Sequence, residues 1–289
     1  MPRRPPIVIE GATPEIDYEA VRAEEEALRN SRPSPAPSPG IPLVTSLSDY
    51  LQLENISCVD AEGQVFERYD RLYVRKDIER GDNKNQKDFT PYAGAVYFEA
   101  QGLFLPSFAL SCAIVAALYL QKNDPALNAV LMQYKDKDNG DGWHAQNTLI
   151  NYATEEVVHY PTADDFAQAA TVNSAHPRRA LPFSKTTLQY GLLENAIRDP
   201  ASARYVRQLT GLADPSVLVE IGKYFQKTAK LWYPWTAQGG ATFTETRAAW
   251  LGCIHDDFNL SSYNDLNRAS AARGVRRESI GEMPAGGAL

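Results

Sequence analysis

The chain has 289 residues, 44% of them hydrophobic and 10% aromatic, enough apolar material to bury a substantial core and too much for a wholly disordered polypeptide. A formal charge of −7 argues against a protein that coats nucleic acid by bulk charge, because such proteins carry a net basic footprint; a local basic groove stays open. Three cysteines, Cys58, Cys112 and Cys253, are odd in number and far apart in mostly apolar surroundings, which reads as reduced structural thiols and not as a disulfide framework.

The chain starts with Met1-Pro2-Arg3-Arg4-Pro5-Pro6, followed by Ile7-Val8-Ile9-Glu10 where a secretion signal would continue as an unbroken apolar run, so neither secretion nor membrane insertion is indicated. A short helix is expected from Tyr18 to Arg29. Residues 1–42 hold nine of the 19 prolines. The five between Pro33 and Pro42 fix φ and remove donors among small Ser and Ala neighbours, which predicts an extended, disordered Pro-rich arm. The reading therefore divides the chain into an arm over 1–42, a core domain over 43–277 and a flexible tail over 278–289 that ends in Met283-Pro284-Ala285-Gly286-Gly287-Ala288-Leu289.

From Asn55, the segment Ile56 to Asp60, then Ala61-Glu62-Gly63, then Gln64 to Tyr69 predicts a β-hairpin, with Gly63 taking the positive φ of a tight connection. After the polar loop at Gly81 to Asn85, helices and turns are expected throughout. Pro106 and Ser107 open a buried helix over Phe108–Leu120, at roughly 13 residues too short for a membrane span of about 20. Asp124-Pro125 opens the next helix, and Asp138 to Gly142 is an exposed turn. Pro161 to Asp165 caps a helix through about Val172. Further helices are expected from Ser184 or Thr186 to Ile197, from Asp199-Pro200 to Leu209 with Gly211 as its stop, and from Asp214-Pro215 to Trp232. In the last of these Val217, Leu218, Ile221, Tyr224, Phe225, Thr228 and Leu231 form one apolar stripe. A final pair is read over 245–254 and 264–273, the second ending at Gly274 as a left-handed cap. No internal repeat is present. The expected fold class is mainly α: a helical core domain with one small β-hairpin and flexible N- and C-terminal arms.

Catalytic signatures are weak. His144, His159, His176 and His255 form no HExxH or His-x-His pair and lack the paired cysteines of a zinc knuckle, so hydrogen-bonded structural histidines are expected. His255-Asp256-Asp257 is the one local acid–histidine cluster able to orient a proton-transfer group. The turn starting at Asp136 departs from a calcium loop, with Asp141 where glycine belongs and Asn147 where glutamate belongs. Walker A, GxGxxG and GxSxG patterns are missing. The reading is a non-enzyme with no cofactor and no metal.

Positive charge is distributed more tellingly. Arg178, Arg179, Lys185, Arg198, Arg204 and Arg207 stand against only Glu194 and Asp199, interleaved with Phe183, Tyr190 and Tyr205, a pattern that can neutralise phosphates while aromatics stack on bases. The alternative is a solvated face with ordinary ion pairs. A second cluster, Arg268, Arg273, Arg276 and Arg277, precedes the tail and can equally compensate a helix end.

The order of a Pro-rich arm, a helical core, a basic late-middle segment and a flexible C-terminal arm resembles the coat proteins of flexuous filamentous plant viruses, the potyvirus-like group. Asn139-Gly140-Asp141-Gly142-Trp143 and Val158-His159-Tyr160-Pro161 are similar to that group's Asn-Gly-x-Trp turn and Tyr-Pro. Ala203-Arg204-Tyr205 is similar to its Ala-Arg-Tyr, and Asp265-Leu266-Asn267-Arg268 with Gly274-Val275-Arg276 to its late Asp-Val-Asn-Arg and Gly-Val-Arg. The family's arginine after Pro-Thr-Phe is missing from Pro161-Thr162-Ala163-Asp164-Asp165-Phe166, so Arg178, Arg179, Arg204 and Arg207 are the RNA-binding candidates in its place. The resemblance implies a viral coat (capsid) protein that self-assembles into a helical filament around single-stranded RNA, with neighbouring subunits joined through the terminal arms, no membrane partner, and a location in the virion and host cytoplasm. A viral RNA-associated protein or nucleoprotein without a regular capsid, and a cellular helical enzyme using His255-Asp256-Asp257, are the alternatives.

Overall fold

The structure, a computed structural model, describes residues 43–80, 89–135, 143–184, 191–232 and 245–277. The expected arm over 1–42 with its Tyr18–Arg29 helix, the Asp138–Gly142 turn and the 278–289 tail lie outside the described residues. Strand outweighs helix, 36% against 28%, which overturns the mainly α expectation.

Strands β1 (Leu43–Ser46), β2 (Tyr50–Val59) and β3 (Val65–Arg75) form an antiparallel sheet that β11 (Val275–Arg277) completes, in the order β1-β2-β3-β11. The β2–β3 hairpin is as the sequence predicts. Asp60 Oδ1 accepts the amides of Glu62 and Gln64, and Gly63 takes φ 80° in the turn. A seven-stranded curled sheet runs β6 (Arg179–Pro182), β5 (Glu156–His159), β4 (Trp143–Asn151), β9 (Thr246–Ile254), β10 (Asp257–Asn264), β8 (Thr228–Trp232) and β7 (Gly191–Leu192), antiparallel except between β8 and β10.

Between the two sheets lies the predicted buried helix, here α2 (Phe108–Leu120), packed on β2 from one side and on β4 and β9 from the other. Its residues Phe108 to Leu118 are all buried, and Ser107 caps it by accepting the Leu110 amide. Asp124 caps α3 (Pro125–Met132) in the same way, with Pro125 in the first turn. Helix α1 (Pro91–Glu99) covers the opposite face of the large sheet, where Ala95, Leu149, Val158, Phe166, Ala248 and Trp250 pack together.

Further along, α4 (Leu193–Arg198) is only the end of the helix expected to start near Ser184; 185–190 lie outside the described residues. Helix α5 (Pro200–Thr210) matches its prediction, capped by Asp199 and stopped by Gly211 at φ 64°. Helix α6 (Ser216–Tyr224) is shorter than expected. Gln226 at φ 58° turns the chain, and the remainder becomes β8, so Leu231 reaches the core from a strand while Leu218 and Ile221 do so from the helix and Phe225 from its C-cap.

Three other expected helices are absent. Pro161 to Asp165 forms a capped single turn, with Asp165 accepting from the Thr162 amide and hydroxyl, and Ala167 at φ 54° ends it. The 245–254 segment is β9, between β4 and β10 at the centre of the sheet; a strand buried on both faces reads as an unbroken apolar run and loses the alternation that marks strands. Residues 270–275 are an extended strap whose bridges reach Phe89, Ala272's partner Glu79, His144 and Phe104 before β11 joins β3. Gly274 is therefore no helix cap: a Cβ there would stand 2.8 Å from the Phe98 ring, so close packing requires the glycine. The helical core implied by the coat-protein resemblance is not found in this fold.

Candidate functional site: an aromatic stack ringed by arginines

The β2–β3 register sets Cys58 opposite Glu67 but Val59 opposite Val65, leaving Phe66 as the extra residue of a β-bulge. Bulges re-aim side chains, and here the Phe66 ring lies on the imidazole of His159, with centroids 5.3 Å apart and planes 10° from parallel. His159 is buried at the end of β5, whereas Phe66 stays partly open to solvent.

The imidazole is fixed from both sides. Nε2 stands 2.9 Å from the Gln208 carbonyl, which can only accept, so Nε2 carries the proton and Nδ1 accepts from the Thr148 hydroxyl at 2.9 Å. Thr148 Oγ1 itself accepts the Phe108 amide at 2.8 Å, tying the ring to the start of α2. Burial pushes the His159 pKa down to about 4, against a smaller upward pull from the Gln208 carbonyl, so the ring is neutral at ordinary pH.

Three of the four predicted arginines are one step from this stack. Arg179 is directly opposite His159 in the β5–β6 ladder, and side chains at opposed positions leave the same face of a sheet. Arg207 precedes Gln208, whose carbonyl holds the ring. Arg204, one turn earlier on α5, makes an ion pair with Glu62 in the hairpin turn that leads into the bulge. All three are exposed, and neither Arg179 nor Arg207 has an ion-pair partner among the described residues.

Arg178 is not with them. It forks onto Asp165, with Nε to Oδ2 at 2.9 Å and Nη2 to Oδ1 at 3.0 Å, and reaches Glu156 at 3.9 Å. Glu156 alternates with Val157 and His159 along β5, which places Arg178 on the α1 side of the sheet. Burial works to raise the Asp165 pKa, and the Arg178 and Thr162 hydrogen bonds outweigh it and hold the carboxyl below its usual range.

The aromatic partners also differ from expectation. Phe183 and Tyr205 are core residues with centroids 4.9 Å apart, Tyr190 lies outside the described residues, and Phe66 supplies the ring instead. Nothing in the hairpin sequence marks Phe66, because its stacking partner comes from a distant strand. Arg198 is paired with Glu194, and Lys185 is outside the described residues.

The remaining candidates have structural roles. Arg273 is buried and donates to the carbonyls of Arg75 and Lys76 and to Gln133, clamping the strap between the sheets. Arg268 lies over the Trp250 ring at 5.5 Å, and Arg276 and Arg277 extend β11 opposite Tyr73 and Leu72. His255 and Asp256 form the β9–β10 turn, with Lys227 facing Asp256 at 3.8 Å and Lys230 paired to Asp257 at 2.9 Å. Asn147, the last position of the calcium-like stretch, is a buried amide of β4 that donates to the Leu105 carbonyl and Asn173. Glu67, next to Phe66, accepts from the hydroxyls of Tyr69, Tyr160 and Ser107 at the N-terminus of α2, where a carboxylate is favoured by the helix dipole. The three cysteines are buried free thiols. No group of three acidic, histidine or cysteine side chains among the described residues could hold a metal ion. Comparison with protein-family models, curated proteins and solved structures finds no match.

Proposed function

We propose that this is a structural protein that associates with single-stranded RNA, of the viral coat or nucleoprotein kind, and that Arg179, Arg204 and Arg207 make its phosphate contacts. The placement of three exposed arginines on the strand and helix that flank the Phe66–His159 stack carries the reading, since cations that track a backbone beside an aromatic face are what single-strand binding uses. Arg178, forked onto Asp165 on the α1 side of the sheet and so away from the stack, leaves the set. With a net charge of −7 each subunit contributes little affinity, and many copies sharing one RNA compensate. Self-association through the terminal arms belongs to the same proposal; removing residues 1–40 should leave the sheet signal in circular dichroism unchanged and lower the sedimentation coefficient of assemblies.

The direct test replaces Arg204 and Arg207 together with alanine and titrates unrelated single-stranded RNAs at several salt concentrations. Affinity should fall similarly for every sequence, and the salt slope should shrink by about 0.7 per lost contact. Arg204 and Glu62 form an exposed pair, so stability should change by less than about 1 kcal/mol. A wild-type chain without salt-dependent RNA affinity, alone or assembled, overturns the proposal.

A further inference from the structure

We propose that Phe66 is a stacking platform for an unpaired nucleobase, so that the arginine-ringed site takes single-stranded RNA in preference to duplex RNA or to polyanions without bases. This inference rests on the RNA-binding reading above and adds the part of the ligand that the arginines do not recognise.

A bare cationic patch needs no aromatic ring, and an ordinary hairpin would not present one here. The bulge turns Phe66 out of the β2–β3 ladder, and His159 backs the ring nearly parallel. Because His159 is held by both Thr148 and the Gln208 carbonyl, the orientation of the Phe66 face is set before any ligand arrives. Preorganisation of this kind removes the ordering cost that a mobile surface ring would carry on binding. The ring is partly open, and the exposed residues of the neighbouring elements include Arg179 on β6 and Arg204 and Arg207 on α5, with Arg204 paired to Glu62, so phosphates next to a base on Phe66 have cations available from two elements. In a duplex the base faces are hidden between neighbours, so only an unpaired base can use the platform. Every base has such a face, so the site tolerates different sequences.

The test titrates the full chain with fluorescently labelled oligo(rA), with the same strand annealed to oligo(rU), and with inorganic polyphosphate. The variants are Phe66→Leu, which keeps apolar bulk without an aromatic face, and Phe66→Trp, which keeps the face. Phe66→Leu should weaken oligo(rA) binding about 5- to 160-fold, the range of one lost base stack, with polyphosphate affinity and salt slope unchanged. Phe66→Trp should restore it. Equal loss for all three ligands, or no loss for oligo(rA), overturns the platform while leaving the arginine reading intact; wild-type protein without salt-dependent binding to any of them overturns that wider reading instead. Should Phe66→Leu fail to fold, Phe66→Trp decides alone: its emission above the wild-type background should be quenched by oligo(rA) and not by polyphosphate, and equal response to both counts against the stack.

Discussion

The Thr148 hydroxyl stands 2.9 Å from His159 Nδ1 while accepting the Phe108 amide at 2.8 Å, so one side chain links the first turn of the buried helix to the ring beneath Phe66. The first amides of a helix have no partner inside it, and a fully apolar helix start buried between two sheets must find one elsewhere. Placement of the candidate site and satisfaction of α2 are therefore the same hydrogen-bonded chain.

Thr148→Val keeps the shape of that side chain and removes its hydroxyl. Two buried groups then lose a partner, which should lower stability by about 2–6 kcal/mol at the usual cost of an unsatisfied group. Thr148→Ser, which keeps the oxygen, should cost less than about 1.5 kcal/mol, a deleted buried methyl group. Urea unfolding of both variants checks this, and a Thr148→Val loss no larger than that of Thr148→Ser would show that the hydroxyl does not carry the link.

Acid should destabilise the fold through two buried histidines. Burial holds His159 at about 4, and burial followed by the nearby Arg273 charge holds His144 at about 3, whereas both titrate near 6.5 once unfolded. Their folded pKa values are depressed, so the unfolded chain binds more protons below about pH 6.5 and stability rises with pH in that window. The contribution is fully present above about pH 6.5 and is lost as pH falls through about 4 for His159 and about 3 for His144, by up to about 1.4 kcal/mol per pH unit for each. Asp165, also depressed, adds to the acid end of the same trend. Urea midpoints across this range should show the slope, and His144→Phe, which can retain the 4.2 Å stack on Tyr134, should flatten it. An unchanged slope in that variant would remove His144 from the account.

Gly211 ends α5 next to the site, and Gly211→Ala should be costly for two separate reasons. Its φ of 64° disfavours any Cβ, and an added Cβ would lie 2.6 Å from the Cβ of Ala109 on α2 and 2.9 Å from that of Cys58 on β2. The left-handed conformation costs about 1–2 kcal/mol and overpacking about 1–3 more, so a loss above about 2 kcal/mol is expected in chemical denaturation. A loss below about 1 kcal/mol would mean that helix and sheet can part there, since that much is due to the backbone alone.

Elements with short-range signals were legible in the sequence. Asp60 and Gly63 announce the hairpin, Ser107 the start of α2, Asp124 and Pro125 the start of α3, and Gly211 the end of α5, because each satisfies or interrupts the backbone locally. The large sheet was not legible. β9 is buried on both faces and shows no alternation, and β8 continues the apolar spacing of α6 after a turn at Gln226 that no glycine or proline marks. At the site, the arginines were visible as charges, but which of them share a face is decided by the His159–Arg179 register and by the Asp165 contact to Arg178. Phe66 depends on a bulge, a property of strand pairing with no residue type of its own.

Phe225→Ala tests whether the part of the apolar stripe that survives in α6 is true core. Phe225 is fully buried and meets Phe258 of β10 edge to face at 5.6 Å, so the ring joins the helix to the large sheet. Its backbone has little freedom to close a void. The amide bonds to the Ile221 carbonyl at 2.9 Å, and the next residue, Gln226, already occupies a left-handed conformation that sends the chain into β8. A cavity that cannot collapse carries the full large-to-small penalty, about 3–5 kcal/mol for phenylalanine to alanine. Chemical denaturation with the slope held as a free parameter measures it. A loss under about 1 kcal/mol, in the range of surface substitutions, would mean that α6 packs on the sheet without depending on this ring.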